Sequence, residues 1–171
     1  MNFKELAAAR YSVRKFKNIP VEREKIQTIL EAGLLAPTAK NQQPQKLFVV
    51  TAPDKLEKLR SVCRCTFGAP LIIVAGYDKG RSWRNDLIPG YESGETDCAI
   101  VCTHMLLQAT ELGLGSCWVG WFNDRAVAEA LDIPDNIRVC AMLPIGIPAD
   151  EAHPAHLHTD SRSLEDIVAW L

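Results

Sequence analysis

Three short apolar runs constrain the fold of this chain more than any other feature. They are KLFVVT at residues 46–51, PLIIVAGY at 70–77 and RVCAMLPIGIP at 138–148. Their apolar residues are continuous rather than alternating, and a strand with this pattern is buried on both faces of its sheet. The three runs therefore predict strands of one central sheet that is covered on both sides.

The segments between these runs carry helical patterns that supply the two covers. Asn2, with Glu5 three residues later, predicts the start of a first helix that fades near Arg10. Further helices are predicted within 20–37, 53–62, 95–115, 124–133 and 163–171. The segment ETDCAIVCTHMLLQATELGLG is apolar almost all round, which predicts a central buried helix. Helices that alternate with strands indicate an α/β or α+β layered fold, and we expect one domain over residues 1–171.

Composition and charge argue against several classes of protein. The chain has 171 residues, of which 47% are apolar and 23% charged, with a net charge of -2. This balance argues against binding to nucleic acid through overall basicity. The apolar runs are too short to span a membrane, and MNFKELAAAR lacks the apolar region of a signal peptide. We therefore expect a cytoplasmic protein with neither a membrane nor a nucleic acid as its partner.

The six cysteines and the HPAHLH segment are weak metal candidates. Cys63 and Cys65 form a C-x-C pair, and Cys98 and Cys102 lie one helical turn apart. No C-x-x-C pair occurs, and no histidine stands at zinc-finger spacing. We predict reduced thiols in or near the core, with a metal or redox pair as the alternative.

The stretch ARYSVRKF places Arg10, Ser12 and Arg14 at alternate positions. In an extended segment these three side chains share one face, and a guanidinium fork matches a phosphate or a carboxylate. The alternative is a solvated basic turn.

Two further segments, and one arginine near the end of the chain, carry groups that suit a planar ligand. In APTAKNQQPQ, Thr38, Asn41 and Gln43 offer the donors and acceptors that a heterocycle needs, although such residues are also common turn formers. In LGLGSCWVGWF the glycines permit close approach of a flat ligand or cap the preceding helix, and the tryptophans are core or stacking residues. Arg162 is a ligand contact or a solvated side chain. No acid–base constellation stands out, which indicates that a cofactor performs any chemistry.

Taken together, these segments resemble the nitroreductase-like family of FMN-dependent oxidoreductases. The resemblance rests on five motifs in order along the chain: RYSVRKF, APTAKNQQPQKLFVV, TDCAIVCTHMLLQATELGLGSCWVGWF, LPIGIP and SRSLEDIV. It implies an α+β fold, a three-layer α-β-α sandwich with a central mixed sheet. It also implies a homodimer that holds FMN at its interface, with several contacts supplied by the neighbouring subunit.

The resemblance assigns cofactor-binding roles to particular residues, but no catalytic side chain and no metal ligand. Arg10, Ser12 and Arg162 would hold the phosphate, and Arg14 would contact either the phosphate or the flavin N1/C2=O edge. The remaining matched positions lie around the ring: Tyr11, Pro37, Thr38, Ala39, Asn41, Gln43, Trp118, Val119, Gly120 and Gly146.

The implied reaction is a two-electron hydride transfer from NADH or NADPH, through flavin N5, to an acceptor such as a nitroaromatic or a quinone. The alternatives are a flavin store or sensor without turnover, and a specialised relative such as a dehalogenase of aromatic iodides or a flavin-destroying enzyme. Three features depart from the family pattern: Gln45 replaces a frequent Trp, Tyr11 replaces a frequent Arg or His, and the segment between Gly76 and Thr96 is short.

Overall fold

The computed structural model describes all 171 residues and contains six α-helices and four strands. The helices are α1 (Phe3–Ala9), α2 (Arg23–Leu34), α3 (Pro53–Val62), α4 (Gly94–Glu111), α5 (Asp124–Leu131) and α6 (Leu164–Ile167). The strands are β1 (Gln45–Val50), β2 (Leu71–Asp78), β3 (Gly115–Ser116) and β4 (Ile137–Gly146). None of the helices combines the length and the apolar character needed to cross a bilayer.

The strands form one sheet in the order β1-β2-β4-β3, and all three ladders are antiparallel. Parallel pairing is confined to an isolated bridge between Ser12 and Ser116. The ladder between β2 and β4 shifts register between Ala75 and Gly76, so that Cys140 is an extra residue of β4. The structure confirms an α+β fold, and its sheet is almost wholly antiparallel.

Both faces of the sheet are covered, as the continuous apolar runs predict. One cluster of 14 buried residues joins the sheet to α2 and α4, and includes Ile29 and Met105. A second cluster of 14 lies on the opposite face against α3 and α5, and includes Leu59 and Val127. The three layers are therefore α2 and α4, the sheet, and α3 and α5.

Helix α4 is buried along one face rather than all round. Its buried residues recur at helical spacing from Gly94 to Ala109, whereas Thr103 is exposed and His104 is only partly buried. The sheet and α2 cover only one side of the helix. The prediction of a central buried helix is correct for its inner face and wrong for its outer face.

The glycines after α4 have two different roles. Gly113 has a φ of +74°, a left-handed conformation that ends the helix without a steric penalty. Gly115 lies in β3, where a side-chain Cβ would come within 2.7 Å of Val13 Cγ2. Gly115 therefore does not cap the helix but lets the segment around Val13 approach the sheet.

Candidate functional site

The segment after α1 is extended and brings three polar side chains together. The buried Val13 donates its backbone N–H to the Ser116 carbonyl at 2.9 Å. Because Val13 points into the protein, its neighbours Ser12 and Arg14 point away from the core. Arg10, Ser12 and Arg14 all line one cavity of about 330 Å³. The structure thus brings together the three residues that the alternating pattern singles out.

The two arginines at this cavity have no partner within the chain. Five ion pairs occur, and neither Arg10 nor Arg14 takes part in any of them. The Arg10 side chain is nevertheless half-buried. Guanidinium groups that carry five donors and find no acceptor are suited to an external anion.

The other wall of the cavity comes from the C-terminal part of the chain. That wall consists of Ala155, Leu157 and His158. The His158 ring lies against the Tyr11 ring, which also lines the cavity, with the two ring centroids 6.2 Å apart in an edge-to-face arrangement. His158 Nε2 lies 3.1 Å from the Ala8 carbonyl oxygen, which the ring N–H can reach as a donor. The sequence did not identify His158 as a site residue, since HPAHLH suggested only weak metal binding.

Arg162 lies apart from this cavity. It is exposed, and its Nη2 donates to the Asp166 carbonyl oxygen at 2.8 Å within the last turn of the chain. Arg162 is not among the residues that line the cavity at Arg10 and Ser12.

The loop at residues 37–43 has an unusual backbone. Lys40, Asn41 and Gln43 have φ values of 49°, 55° and 48°, in the left-handed region that few residues other than glycine adopt. Within the loop, Thr38 Oγ accepts the Gln43 backbone N–H at 3.1 Å, and Gln43 Nε2 donates to Asn41 Oδ1 at 3.0 Å. Backbone strain of this kind is concentrated at functional sites in proteins.

One buried carboxylate outside loop 37–43 bonds to it. Asp97, on the first turn of α4, accepts the Ala39 backbone N–H at 2.9 Å. Its second oxygen accepts the Ser93 hydroxyl at 2.7 Å. Sequence reasoning missed both residues. The available signal was a pair of acids, Glu95 and Asp97, at the start of an apolar helical segment, which also fits the ordinary preference for acids at a helix start.

The segment 118–120 exposes alternate residues. Val119 is buried and exchanges two backbone hydrogen bonds with Met142, at 2.9 and 3.0 Å. Trp118 and Gly120 are exposed, and their backbone N–H groups donate to no group in the chain. This segment can therefore offer two backbone donors and an indole face to a ligand. Gly146, by contrast, is buried, and a Cβ there would lie 2.8 Å from Pro70 Cδ.

Cys117 lies behind the arginine cavity and stays a neutral thiol. Burial raises its pKa, and the nearby charges of Arg14 and Arg10 and a hydrogen bond with Ser12 oppose that shift without reversing it. Burial also raises the pKa of Cys102, to about 12. Such thiols are poor nucleophiles at neutral pH.

The positions of the cysteines bear out the prediction of thiols in or near the core. All six are free; four of them are buried, and Cys65 and Cys140 are partly exposed. No group of three histidine, cysteine, aspartate or glutamate residues is arranged to hold a metal ion.

We expect only Cys65 and Cys140 to react quickly with a thiol-reactive aryl disulfide in the folded protein. Accessibility and thiolate content control this reaction, and the other four thiols are buried. Counting released aryl thiolate before and after unfolding in guanidinium measures both classes. Cys140→Ser should remove one fast-reacting thiol. Fast reaction of a third thiol in the folded protein would contradict the burial described here.

The chain is similar in sequence and structure to known proteins. The sequence model of the nitroreductase family matches residues 7–67 and 63–147. A crystal structure of a nitroreductase family protein from Clostridium difficile 630 has a TM-score of 0.92 and 36% identity, covering 99% of this chain and 98% of that one. An FMN-dependent nitroreductase from Clostridium difficile R20291 has a TM-score of 0.77 and 32% identity, covering 96% of each chain. A protein of Archaeoglobus fulgidus, named as a candidate NADH dehydrogenase or NAD(P)H nitroreductase, is 33% identical over 83% of each chain.

Proposed function

Because the chain belongs to the nitroreductase family, we propose that it binds FMN and uses it to pass two electrons from NADH or NADPH to a small oxidised acceptor. Nitroaromatics and quinones are acceptors of the proposed class. The Clostridium difficile R20291 relative, an FMN-dependent nitroreductase, supports the cofactor, and the name of the Archaeoglobus relative supports the nicotinamide donor.

The observation that carries this proposal is the unpaired cationic cavity at Arg10, Ser12 and Arg14. A phosphate monoester with close to two negative charges can accept from two guanidiniums and a hydroxyl at once, and such charge-assisted hydrogen bonds are the strong ones. The cavity volume of about 330 Å³ is near the lower end of the range for ligand pockets, about 300–1,000 Å³. The cavity is large enough for the phosphate end of FMN, and its two guanidiniums and hydroxyl suit that end rather than the flavin ring.

We propose that the surfaces that contact the flavin ring meet across a homodimer. No residue of loop 37–43 lines the arginine cavity of the same chain, although both segments match the family's cofactor contacts. Pro37, Asn41 and Gln43 are exposed, and Thr38 and Ala39 are partly so. A second copy of the chain would bring its loop 37–43 to the ring of an FMN whose phosphate lies at Arg10 and Ser12.

In this proposal the protein binds and orients, and the cofactor supplies two-electron chemistry through its flavin ring. Arg10 and Ser12 hold the phosphate, which fixes one end of the cofactor. The Asn41 and Gln43 amides match the donor and acceptor edge of the ring, and the free N–H groups of Trp118 and Gly120 face the ligand. Tyr11, Thr38 and Ala39 line the site, and Val119 and Gly146 hold its floor. Arg162 would join the phosphate site by giving up its hydrogen bond to the Asp166 carbonyl oxygen.

The visible spectrum of the purified protein tests the function directly. With FMN added under nitrogen, we expect the absorption of bound oxidised flavin to bleach on addition of NADH or NADPH. Re-oxidation by a quinone should then restore the spectrum. Bound flavin that stays oxidised with both nicotinamides would favour a store or sensor, and a protein that binds no flavin would contradict the proposal.

The proposed interface predicts the stoichiometry of assembly. We expect a dimer that binds two FMN, because each site would draw on both chains. Analytical ultracentrifugation at the flavin wavelength measures the mass of the flavin-bearing species. A monomer that is saturated with FMN would contradict the placement of the cofactor between two chains.

A further inference from the structure

Asp97 is a buried acid whose hydrogen bonds lead to a loop distant in sequence. Its side chain is 2% exposed on α4. One oxygen accepts the Ala39 N–H at 2.9 Å and the other accepts the Ser93 hydroxyl at 2.7 Å. A buried carboxylate is retained only where such partners satisfy it.

Loop 37–43 has no other side-chain contact of this kind. Its remaining hydrogen bonds run within the loop, between Thr38 and Gln43, between Asn41 and Gln43, and along the turn at 38–42. Left-handed conformations at three residues other than glycine persist only when surrounding structure holds them. The Ala39 N–H donates the one hydrogen bond that joins the loop to a side chain outside it, that of Asp97.

The start of α4, which carries this carboxylate, contacts two strands of the sheet. The buried Tyr77 ring packs directly against Gly94, and its hydroxyl donates to Glu92 Oε1 at 2.6 Å. Glu95 pairs with Arg138 on β4 at 2.6 Å. Because Tyr77 lies on β2 and Arg138 on β4, these contacts tie the first turn of α4, which carries Asp97, to the sheet.

We propose that Asp97 is a positioning residue that holds loop 37–43 in the conformation that presents the Asn41 and Gln43 amides to the flavin ring. The identity of the ligand in this inference, the flavin ring, rests on the proposed function. It assigns to Asp97 no contact with the cofactor. Its effect passes through the Ala39 N–H to the two amides that follow in the chain.

The test compares three variants in two measurements. Asp97→Ala removes the acceptor for Ala39. Asp97→Asn keeps an oxygen for Ala39 and can donate to the Ser93 hydroxyl, but gives up the charge. Ser93→Ala removes the Ser93 bond and leaves the Ala39 bond in place, so it is the matched control.

The first measurement is amide hydrogen exchange in the flavin-free protein. We expect the Ala39 amide to exchange about tenfold faster or more in Asp97→Ala, at an intermediate rate in Asp97→Asn, and as in the wild type in Ser93→Ala. This result does not depend on flavin binding. Unchanged exchange in Asp97→Ala, or equal acceleration in Ser93→Ala, would overturn the proposal. Should Asp97→Ala fail to fold, the Ala39 exchange rates of the other two variants decide. Faster exchange in Asp97→Asn than in Ser93→Ala supports the proposal, and equal rates overturn it.

The second measurement compares the affinities for FMN and for riboflavin, which lacks the phosphate. A misplaced loop disturbs contacts with the ring, so Asp97→Ala should weaken binding of both ligands by the same factor, about tenfold or more. A loss confined to FMN would overturn the proposal, because the phosphate lies elsewhere. If the wild type binds neither ligand, the proposed function fails, and hydrogen exchange alone decides the role of Asp97.

Discussion

Arg10→Ala should weaken FMN binding by about 10- to 150-fold and leave riboflavin binding unchanged. Arg10 is partly buried, lines the same cavity as Ser12 and Arg14, and has no ion-pair partner in the chain. A charge-assisted hydrogen bond contributes about 1.5–3 kcal/mol, and each 1.4 kcal/mol is about tenfold in affinity. Riboflavin has no phosphate to lose. Quenching of flavin fluorescence on titration with protein measures both dissociation constants.

The control for this experiment is Arg23→Ala. Arg23 is exposed at the start of α2 and lines a different cavity, so its removal changes the net charge equally without touching the proposed site. We expect wild-type affinity for both flavins in this variant. Equal losses of FMN and riboflavin affinity in Arg10→Ala, or no loss of either, would contradict the phosphate assignment.

The same pair of ligands decides between the two positions proposed for Arg14. If Arg14 contacts the phosphate, Arg14→Ala weakens FMN binding alone. If it reaches the N1/C2=O edge of the ring, both ligands bind more weakly. In the second case the reduction potential of bound flavin should also fall, because a cation at this edge favours the anionic reduced form.

The layered fold could be predicted because the patterns that determine it, the apolar runs and the helical segments between them, are local in the sequence. The apolar runs at 46–51 and 70–77 lie within one residue of β1 and β2, and α3 begins and ends at the predicted residues Pro53 and Val62. The prediction of a helix from Ser163 to Leu171 was wrong in its length, since α6 ends at Ile167. Trp170 and Leu171 are almost fully exposed, and a short helix without a surface to pack on does not form.

The apolar segment SCWVGWF suits either a strand or an extended piece, and tertiary contacts decide which of the two forms at each residue. Only Ser116 continues the ladder of β3, and Val119 makes an isolated bridge to Met142. The exposed Trp118 and Gly120 leave the sheet on either side of that bridge.

The part of the candidate site that depends on alternating residues in an extended segment could be predicted from the sequence. The part that depends on contacts between segments distant in sequence could not. Arg10, Ser12 and Arg14 follow from the spacing of an extended segment. Asp97 and Ala39 are 58 residues apart, and no local pattern announces their hydrogen bond. Arg162 matches a family motif, but one of its N–H groups donates to the Asp166 carbonyl oxygen and it does not line the arginine cavity.

The largest effect on stability should follow from Gly94→Ala. A Cβ at Gly94 would overlap the Tyr77 ring at Cδ2, Cε2 and Cγ. The ring cannot simply move aside, because Tyr77 is fully buried and its hydroxyl is bonded to Glu92. Overpacking of this kind costs about 1–3 kcal/mol, and losing the bond to the carboxylate adds to it. We expect a loss of about 3 kcal/mol or more, or about 6–12 °C in Tm for a domain of this size.

Two controls for Gly94→Ala separate the clash with the Tyr77 ring from the general effect of replacing a glycine by alanine. Gly80→Ala places a Cβ 3.3 Å from the flexible Asp78 carboxylate and should change the free energy of unfolding little. In a Tyr77→Leu background the ring is absent, so Gly94→Ala should lower the free energy of unfolding much less than it does in the wild type. Denaturant unfolding of the wild type, the two single variants and the double variant measures this difference. Additive losses would show that Tyr77 is not the cause. Because Asp97 follows Gly94 by three residues, folded Gly94→Ala protein should also bind riboflavin more weakly, which would link the packing of α4 to the proposed ring site.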